Sequence, residues 1–338
     1  MSAFSDTKPV STFVENALHM ILPTFADIET AADRIAPIVR RTPLLHDEAL
    51  SEALGATIYV KAECLQRFGA FKLRGAFNRI ASLPEETRAN GVLAFSSGNH
   101  AIAVAATAKH FGIPAVIVMP ADAPAAKMAR VRELGGEVIA YDRVRESREE
   151  IGARIAEERG LPIVKPFDDS YVIAGQGTAG LEIARDIAPD IVIAPASGGG
   201  LVTGVALAVR HLHPHALIYA AEPEGHDDIA RSLAAGAIQS NPPGVRSICD
   251  ALLVERMGEI PFKLAQAHLA GAVAVCDADV KAAMSHAFSA LKLVVEPGGA
   301  AALAALLAGK VDVRGKTVAI IASGGNVDAQ TYCDALNV

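Results

Sequence analysis

The sequence predicts an α/β protein built on parallel sheets, and three observations lead there. Short runs rich in Val and Ile recur at 57–60, 92–95, 115–118, 137–140, 191–196, 217–221 and 317–322. Most do not alternate apolar with polar residues, which is the pattern of strands covered on both faces. Segments of helical length separate them, and strand–helix alternation favours parallel pairing through crossovers.

Taken in order, the run 57–60 is followed by an amphipathic stretch, 71–83, read as a helix. The run 92–95 leads into a helix at 101–111, 115–118 into one at 125–134, and 137–140 into one at 147–159. These three units, closely spaced from Val92 to about Asp168, predict a small α/β lobe, 91–168, inserted between 1–90 and 169–338 of a larger one. The runs 191–196, 217–221 and 317–322, with a helix at 278–291, belong to the larger lobe.

Composition narrows the function. Hydrophobic residues make up 51% of 338, enough for a sizeable core. The net charge is −7 and Lys and Arg form no run, which argues against a nucleic-acid surface. No apolar stretch approaches the ~20 residues of a membrane span. Asp6 and Glu15 interrupt the N-terminus, so no signal peptide is read there. Cys64, Cys249, Cys276 and Cys333 are scattered, without a C-x-x-C pair, as free thiols in a cytoplasmic protein would be.

Lys72 lies among apolar and small residues in Gly69–Ala76. It reads either as a snorkelling lysine on the amphipathic helix or as a desolvated amine able to form a Schiff base with a carbonyl cofactor. Three turns after strands favour the second. In Ser197-Gly198-Gly199-Gly200-Leu201, successive backbone N–H groups and a helix N-terminus can converge on a phosphate. The third glycine comes one residue late for a dinucleotide fingerprint. Ser96-Ser97-Gly98-Asn99-His100 offers hydroxyls and an amide to a carboxylate or a ring hydroxyl. Ser323-Gly324-Gly325-Asn326 places a serine at a third strand end. Lysine, phosphate cradle, polar loop and serine together describe a pyridoxal phosphate site.

On these motifs, with Ala174-Gly175-Gln176-Gly177-Thr178 and Glu296-Pro297, the chain resembles the fold-type II pyridoxal phosphate enzymes, in the serine/threonine dehydratase and serine racemase branch. The resemblance spans about residues 28–328. It implies a two-lobed fold like the tryptophan synthase β subunit, each lobe an open, mostly parallel sheet flanked by helices. It implies that Lys72 bonds the cofactor and moves the Cα proton, with Ser97 as acid/base on the opposite face. Phe71 would pack beside the ring, Asn99 bond its oxygen, Ser323 face its nitrogen and Glu296 border it. Ser197, Gly198, Gly199, Gly200 and Leu201 would hold the phosphate. Ser96, Ser97 and His100 would surround the substrate carboxylate, and Arg148 and Ser247 would also contact substrate. Glu222, His226 (through its carbonyl) and Asp228 would bind Mg²⁺, or Ca²⁺ or Mn²⁺. Ala70 and Ser197 depart from the usual family residues, as does Ile248–Ala251.

The activity implied is ammonia release from a β-hydroxy amino acid, either L-threonine and L-serine or 3-hydroxyaspartate, with an amino-acid racemase as the alternative. Arg67, Arg148 and Arg246 are candidates for a distal carboxylate. The chain runs only about ten residues past Asp328, so no appended regulatory domain is expected, and a catabolic role follows. A homodimer is expected. His211, His213 and His215 alternate, but Pro214 places them in a loop rather than a metal-binding strand.

Overall fold

The computed structural model describes residues 21–337 except Pro124. Asp6 and Glu15, on which the reading of the N-terminus rested, lie outside them. Strands β1 (Leu44–His46), β2 (Thr57–Lys61), β3 (Val92–Phe95), β4 (Ala115–Pro120), β5 (Glu137–Tyr141), β6 (Ile191–Pro195), β7 (Leu217–Pro223), β8 (Gly271–Val275) and β9 (Thr317–Ile321) form two sheets. The larger has the order β1-β2-β9-β6-β7-β8 and the smaller β3-β4-β5. Every pair is parallel except β1 with β2.

All seven expected strands are present, with ends shifted by a residue or two. The strands β1 and β8 were not expected. One is three residues long, and in the other Gly271, Ala272 and Ala274 dilute the strand signal of Val273 and Val275. The strand β5 departs from the expectation of cover on both faces: it is a sheet edge, and Glu137 and Ala140 are exposed.

The unalternating runs have a direct cause. In β6 and β9, Ile191, Ile193, Val318 and Ile320 pack with the helix Pro297–Leu307. The intervening Val192, Ala194, Ala319 and Ile321 pack with the helix Gly200–Leu212. Both faces are dry, so every position is apolar.

The helix Ser170–Asp186 crosses Lys72–Ala81 and Gly200–Leu212 at backbone contact. A Cβ at Gly175 would lie 2.6 Å from the Arg74 carbonyl oxygen, and one at Gly204 2.5 Å from that of Ile173. The Gly75 N–H donates to Gln176 Oε1 at 3.2 Å. The Ala174–Thr178 motif is thus a helix crossing, and it fixes the helix that begins at Lys72.

That helix is also pinned by charge. Arg74, fully buried, forks onto Glu63 at 2.7 and 2.8 Å and onto Glu182 at 2.7 and 2.9 Å. Lys61 joins Glu182 at 2.5 Å. Burial alone would raise Glu63, but the Arg74 guanidinium outweighs it and holds the carboxyl below its ordinary value. All four cysteines are free. Among the described residues no helix is long and apolar enough to cross a membrane.

Candidate active site

Loops at the carboxyl ends of strands from both sheets meet around one cavity of about 300 Å³. Ser96–Asn99 follow β3, Ser197–Leu201 follow β6, and Ser323 follows β9. This is where an open α/β sheet leaves a crevice. Phe71, Lys72, His100, Arg148 and Glu296 also line it.

Lys72 is the first residue of its helix. Its ammonium donates to the Pro166 carbonyl at 2.9 Å and lies 5.2 Å from the Phe71 ring centroid. Sunk below the surface, the amine loses hydration, and its pKa falls to about 8. A useful fraction is therefore unprotonated near neutral pH.

The glycine turn Ser197–Leu201 opens a helix, as the sequence suggests. Gly199 caps the helix Gly200–Leu212 at φ +88°, a left-handed conformation suited to glycine. The first-turn N–H groups have no partner within the helix and point outward. The wall is tight: a Cβ at Gly198 would overlap the Phe167 ring, and one at Gly200 would come within 3.0 Å of Phe167 Cβ. Ser197 Oγ accepts from Val254 N at 3.3 Å.

Ser323 is buried at the end of β9, and its carbonyl accepts from Phe71 N at 3.1 Å, tying the serine turn to the lysine turn. Asn99 Nδ2 donates to Glu296 Oε1 at 2.5 Å. The other carboxylate oxygen, Glu296 Oε2, is buried and partnerless among the described residues. Burial pushes Glu296 up to about 7, against the pull of Lys127.

His100 differs from expectation. Its Nε2 faces the Val164 carbonyl at 2.8 Å. Burial and the nearby Lys72 charge lower its pKa to about 3, so the ring is neutral. A carbonyl only accepts, so Nε2 carries the hydrogen and Nδ1 is a bare acceptor, unfit to donate to a carboxylate. Ser247 also sits differently. It donates to Asp277 Oδ1 at 2.6 Å and is not among the cavity-lining residues.

Lys127, Arg143, Tyr141, Asp250 and Phe167 line the cavity too and were not expected. Lys127 pairs with Asp250 at 2.5 Å across 123 residues of sequence. No local signal marks such a pair. Of the three arginines considered for a distal carboxylate, only Arg148 lines the cavity; Arg67 donates to the Ile38 carbonyl instead.

Away from the cavity, Glu222 and Asp228 are buried. The oxygens of Glu222 accept from Ile229 N at 2.9 Å and Ala230 N at 3.0 Å. Those of Asp228 accept from Asn241 Nδ2 and Met257 N, both at 2.7 Å. Burial raises Glu222 to about 8 and Asp228 to about 6. Each oxygen accepts one of these bonds, so lone pairs remain for a hard cation. Among the described residues no three His, Cys, Asp or Glu side chains form a metal cluster. The alternating histidines do not converge: His211 stacks on Phe25 at 3.8 Å and His213 faces the Ala184 carbonyl.

Amine, glycine cradle, amide and serine fit the aldehyde, phosphate, ring oxygen and ring nitrogen of pyridoxal phosphate. Comparisons agree. Residues 35–324 match the family model described as pyridoxal-phosphate dependent enzyme. The chain is 41% identical to the L-threo-3-hydroxyaspartate ammonia-lyase of Saccharomyces cerevisiae, over 94% of this chain and 98% of that one. It is 41% identical to the L-threonine ammonia-lyase of Thermotoga maritima, over 93% of this chain and 78% of the relative. The solved structure of maize serine racemase superposes with a TM-score of 0.89 at 40% identity, covering 94% and 98% of the two chains. The chain belongs to the pyridoxal-phosphate dependent enzymes, in the fold-type II group.

Proposed function

We propose that the protein is an ammonia-lyase that converts a β-hydroxy amino acid to a 2-oxo acid and ammonia, with 3-hydroxyaspartate ahead of L-threonine and L-serine. One observation carries the reading: the cavity that holds Lys72, the glycine cradle, Asn99 and Ser323 is also walled by Lys127, Arg143 and Arg148. Each is paired with a carboxylate of the chain, Lys127 with Asp250, Arg143 with Asp122 and Arg148 with Glu149, and cations around one cavity that can exchange such partners suit a substrate with two carboxylates.

When bound, pyridoxal phosphate supplies a carbonyl that captures the substrate amine and a ring that withdraws electrons from Cα. Backbone N–H groups of Ser197–Leu201 would hold its phosphate, Asn99 its ring oxygen and Ser323 its nitrogen, with Phe71 and Glu296 beside the ring. Ser323 is neutral, so it accepts or donates without fixing a charge on that nitrogen. Ser96 and Ser97 hold the substrate carboxylate. The Lys72 amine, short of hydration, takes the Cα proton. The β-hydroxyl departs with a proton as water, and water returns as ammonia leaves, so substrate equals 2-oxo acid plus ammonia in atoms.

The test is ammonia and 2-oxo acid release from L-threonine, L-serine and both 3-hydroxyaspartate diastereomers, with Lys72→Ala as control. Release from one hydroxyaspartate well above the rest supports the reading. Equal release from threonine and serine removes the dicarboxylate preference, and silence on all four sinks the elimination. A second activity, racemisation, is favoured by Ser97 lining the same cavity as Lys72. It would appear as D-amino acid product.

A divalent cation, Mg²⁺ or else Ca²⁺ or Mn²⁺, is proposed at Glu222, the residue 226 carbonyl and Asp228. The two buried carboxylates there support it. A thermal shift with Mg²⁺ that Glu222→Gln abolishes is the expected result. The separate β3-β4-β5 sheet supports lobes at 91–168 and at 1–90 with 169–338, which limited proteolysis would separate. A cytoplasmic homodimer is the assembly proposed, to be checked by sedimentation and fractionation.

A further inference from the structure

Asn99 has an amide, and an amide can face the cavity with either its N–H₂ or its oxygen. Which one it offers decides whether it can serve a ring oxygen at all. Hydrogen bonds around it form a chain with a fixed direction. Asn326 Nδ2 donates to the Phe68 carbonyl at 2.8 Å and to Asn99 Oδ1 at 2.8 Å. Asn99 Nδ2 donates in turn to Glu296 Oε1.

A backbone carbonyl cannot donate. The Phe68 carbonyl therefore obliges Asn326 to point its nitrogen inward. That nitrogen can bond Asn99 only through an oxygen. The Asn99 oxygen is thereby consumed on the Asn326 side, and its N–H₂ faces Glu296 and the cavity. One hydrogen serves Glu296 and the second remains for a ligand.

The backbone is shaped for this chain. Phe68 holds φ +64°, unusual for a bulky residue, which brings its carbonyl to Asn326. A Cβ at Gly69 would overlap Asn326 Oδ1, and one at Gly324 would overlap Glu296 Oε1. The loop Arg67–Gly69 and the turn Ser323–Asn326 are separated by more than 250 residues of sequence, as the Asn326–Phe68 bond records.

We propose that Asn326 is a positioning residue that fixes the Asn99 amide with its N–H₂ toward the cavity, where it serves an anionic ring oxygen. The proposal rests on the reading that Asn99 contacts the cofactor ring. Asn326 touches neither cofactor nor substrate in this scheme; it acts through Asn99.

The test titrates the full-length apo-protein with pyridoxal phosphate, reading affinity by fluorescence and the visible band of the bound cofactor. Asn99→Ala is expected to weaken binding on the order of tenfold, as loss of a hydrogen bond to a charged acceptor does. Asn326→Asp can only accept, so it draws the Asn99 N–H₂ away from the cavity. It should weaken binding to a similar degree and shift the visible band. In the Asn99→Ala background it should add less than about twofold, because the two changes remove the same interaction.

Parental affinity and spectrum in Asn326→Asp overturn the proposal while leaving the cofactor reading intact. An equal loss in both backgrounds also overturns it, since Asn326 would then act only on the fold. No loss from Asn99→Ala overturns the proposal together with the cofactor contact it rests on. Should Asn326→Asp fold poorly, Asn326→Ala removes the pin without adding charge. A smaller loss in the same direction supports the proposal, and unchanged binding and spectrum overturn it.

Discussion

His100 Nε2 lies 2.8 Å from the carbonyl oxygen of Val164, and this contact fixes the chemistry of the ring. The carbonyl needs a donor, so Nε2 holds the hydrogen. With the pKa pushed down to about 3 by burial and by Lys72, the imidazole stays neutral throughout the working range. The unfolded chain binds a proton here near pH 6.5 and the folded one does not. Native stability therefore falls as pH drops from about 6.5 toward 3. Nitrogen NMR of labelled histidine should show a neutral, Nε2-protonated ring at pH 5. A charged ring at that pH would contradict it.

Lys72 gives a second pH signature. Its amine is lowered to about 8, so the reactive fraction grows as pH rises through that value. The rate at which apo-protein takes up pyridoxal phosphate should increase several-fold between pH 7 and 9 and then level off. Lys72→Ala should show no visible band of lysine-bound cofactor at any pH. A flat rate profile would mean that Lys72 is not the group being titrated.

Gly198→Ala tests the cradle. The added methyl has no room beside Phe167, so ring or loop must move. A stability loss of about 1–3 kcal/mol is expected from overpacking, with weaker phosphate binding. Phe167→Ala combined with Gly198→Ala should recover part of the cofactor affinity. If the single variant binds and melts like the parent, the wall is softer than the packing indicates.

Arg148 and Lys127 should separate substrates. Arg148→Gln and Lys127→Gln are expected to lower kcat/KM for 3-hydroxyaspartate by on the order of tenfold or more, and for L-serine by much less. Equal losses on both substrates would assign these cations to a role common to all substrates.

Arg74→Met should be among the most damaging changes outside the cavity. Removing one partner of a buried pair strands the other charge, at a cost of about 3–5 kcal/mol. Glu63 would be stranded in the core, while Glu182 would keep only Lys61. A melting temperature close to the parent's would show that the cluster contributes little.

The sheet framework was legible because β6 and β9 are dry on both faces and so read as unbroken apolar runs. The turns that line the cavity with Lys72 were legible because glycine turns after strands carry a local pattern. Other features have no such pattern. The Lys127–Asp250 pair and the Asn326–Phe68 bond join residues distant in sequence, and each looks unremarkable alone. The tautomer of His100 is not legible in its motif, because the carbonyl that fixes it lies 64 residues away at Val164. The strand β8 was missed because Gly271, Ala272 and Ala274 dilute its strand-like side-chain signature.

The three cavity-wall cations lie on the segment from Lys127 to Arg148, around the smaller sheet. Lys72, the glycine cradle and Ser323 belong to the larger one. On the proposed reading, the groups for a substrate's outer end and those for the bond-breaking lie around different sheets. Relatives of one architecture carrying different substrate names are what such a division of labour would leave behind.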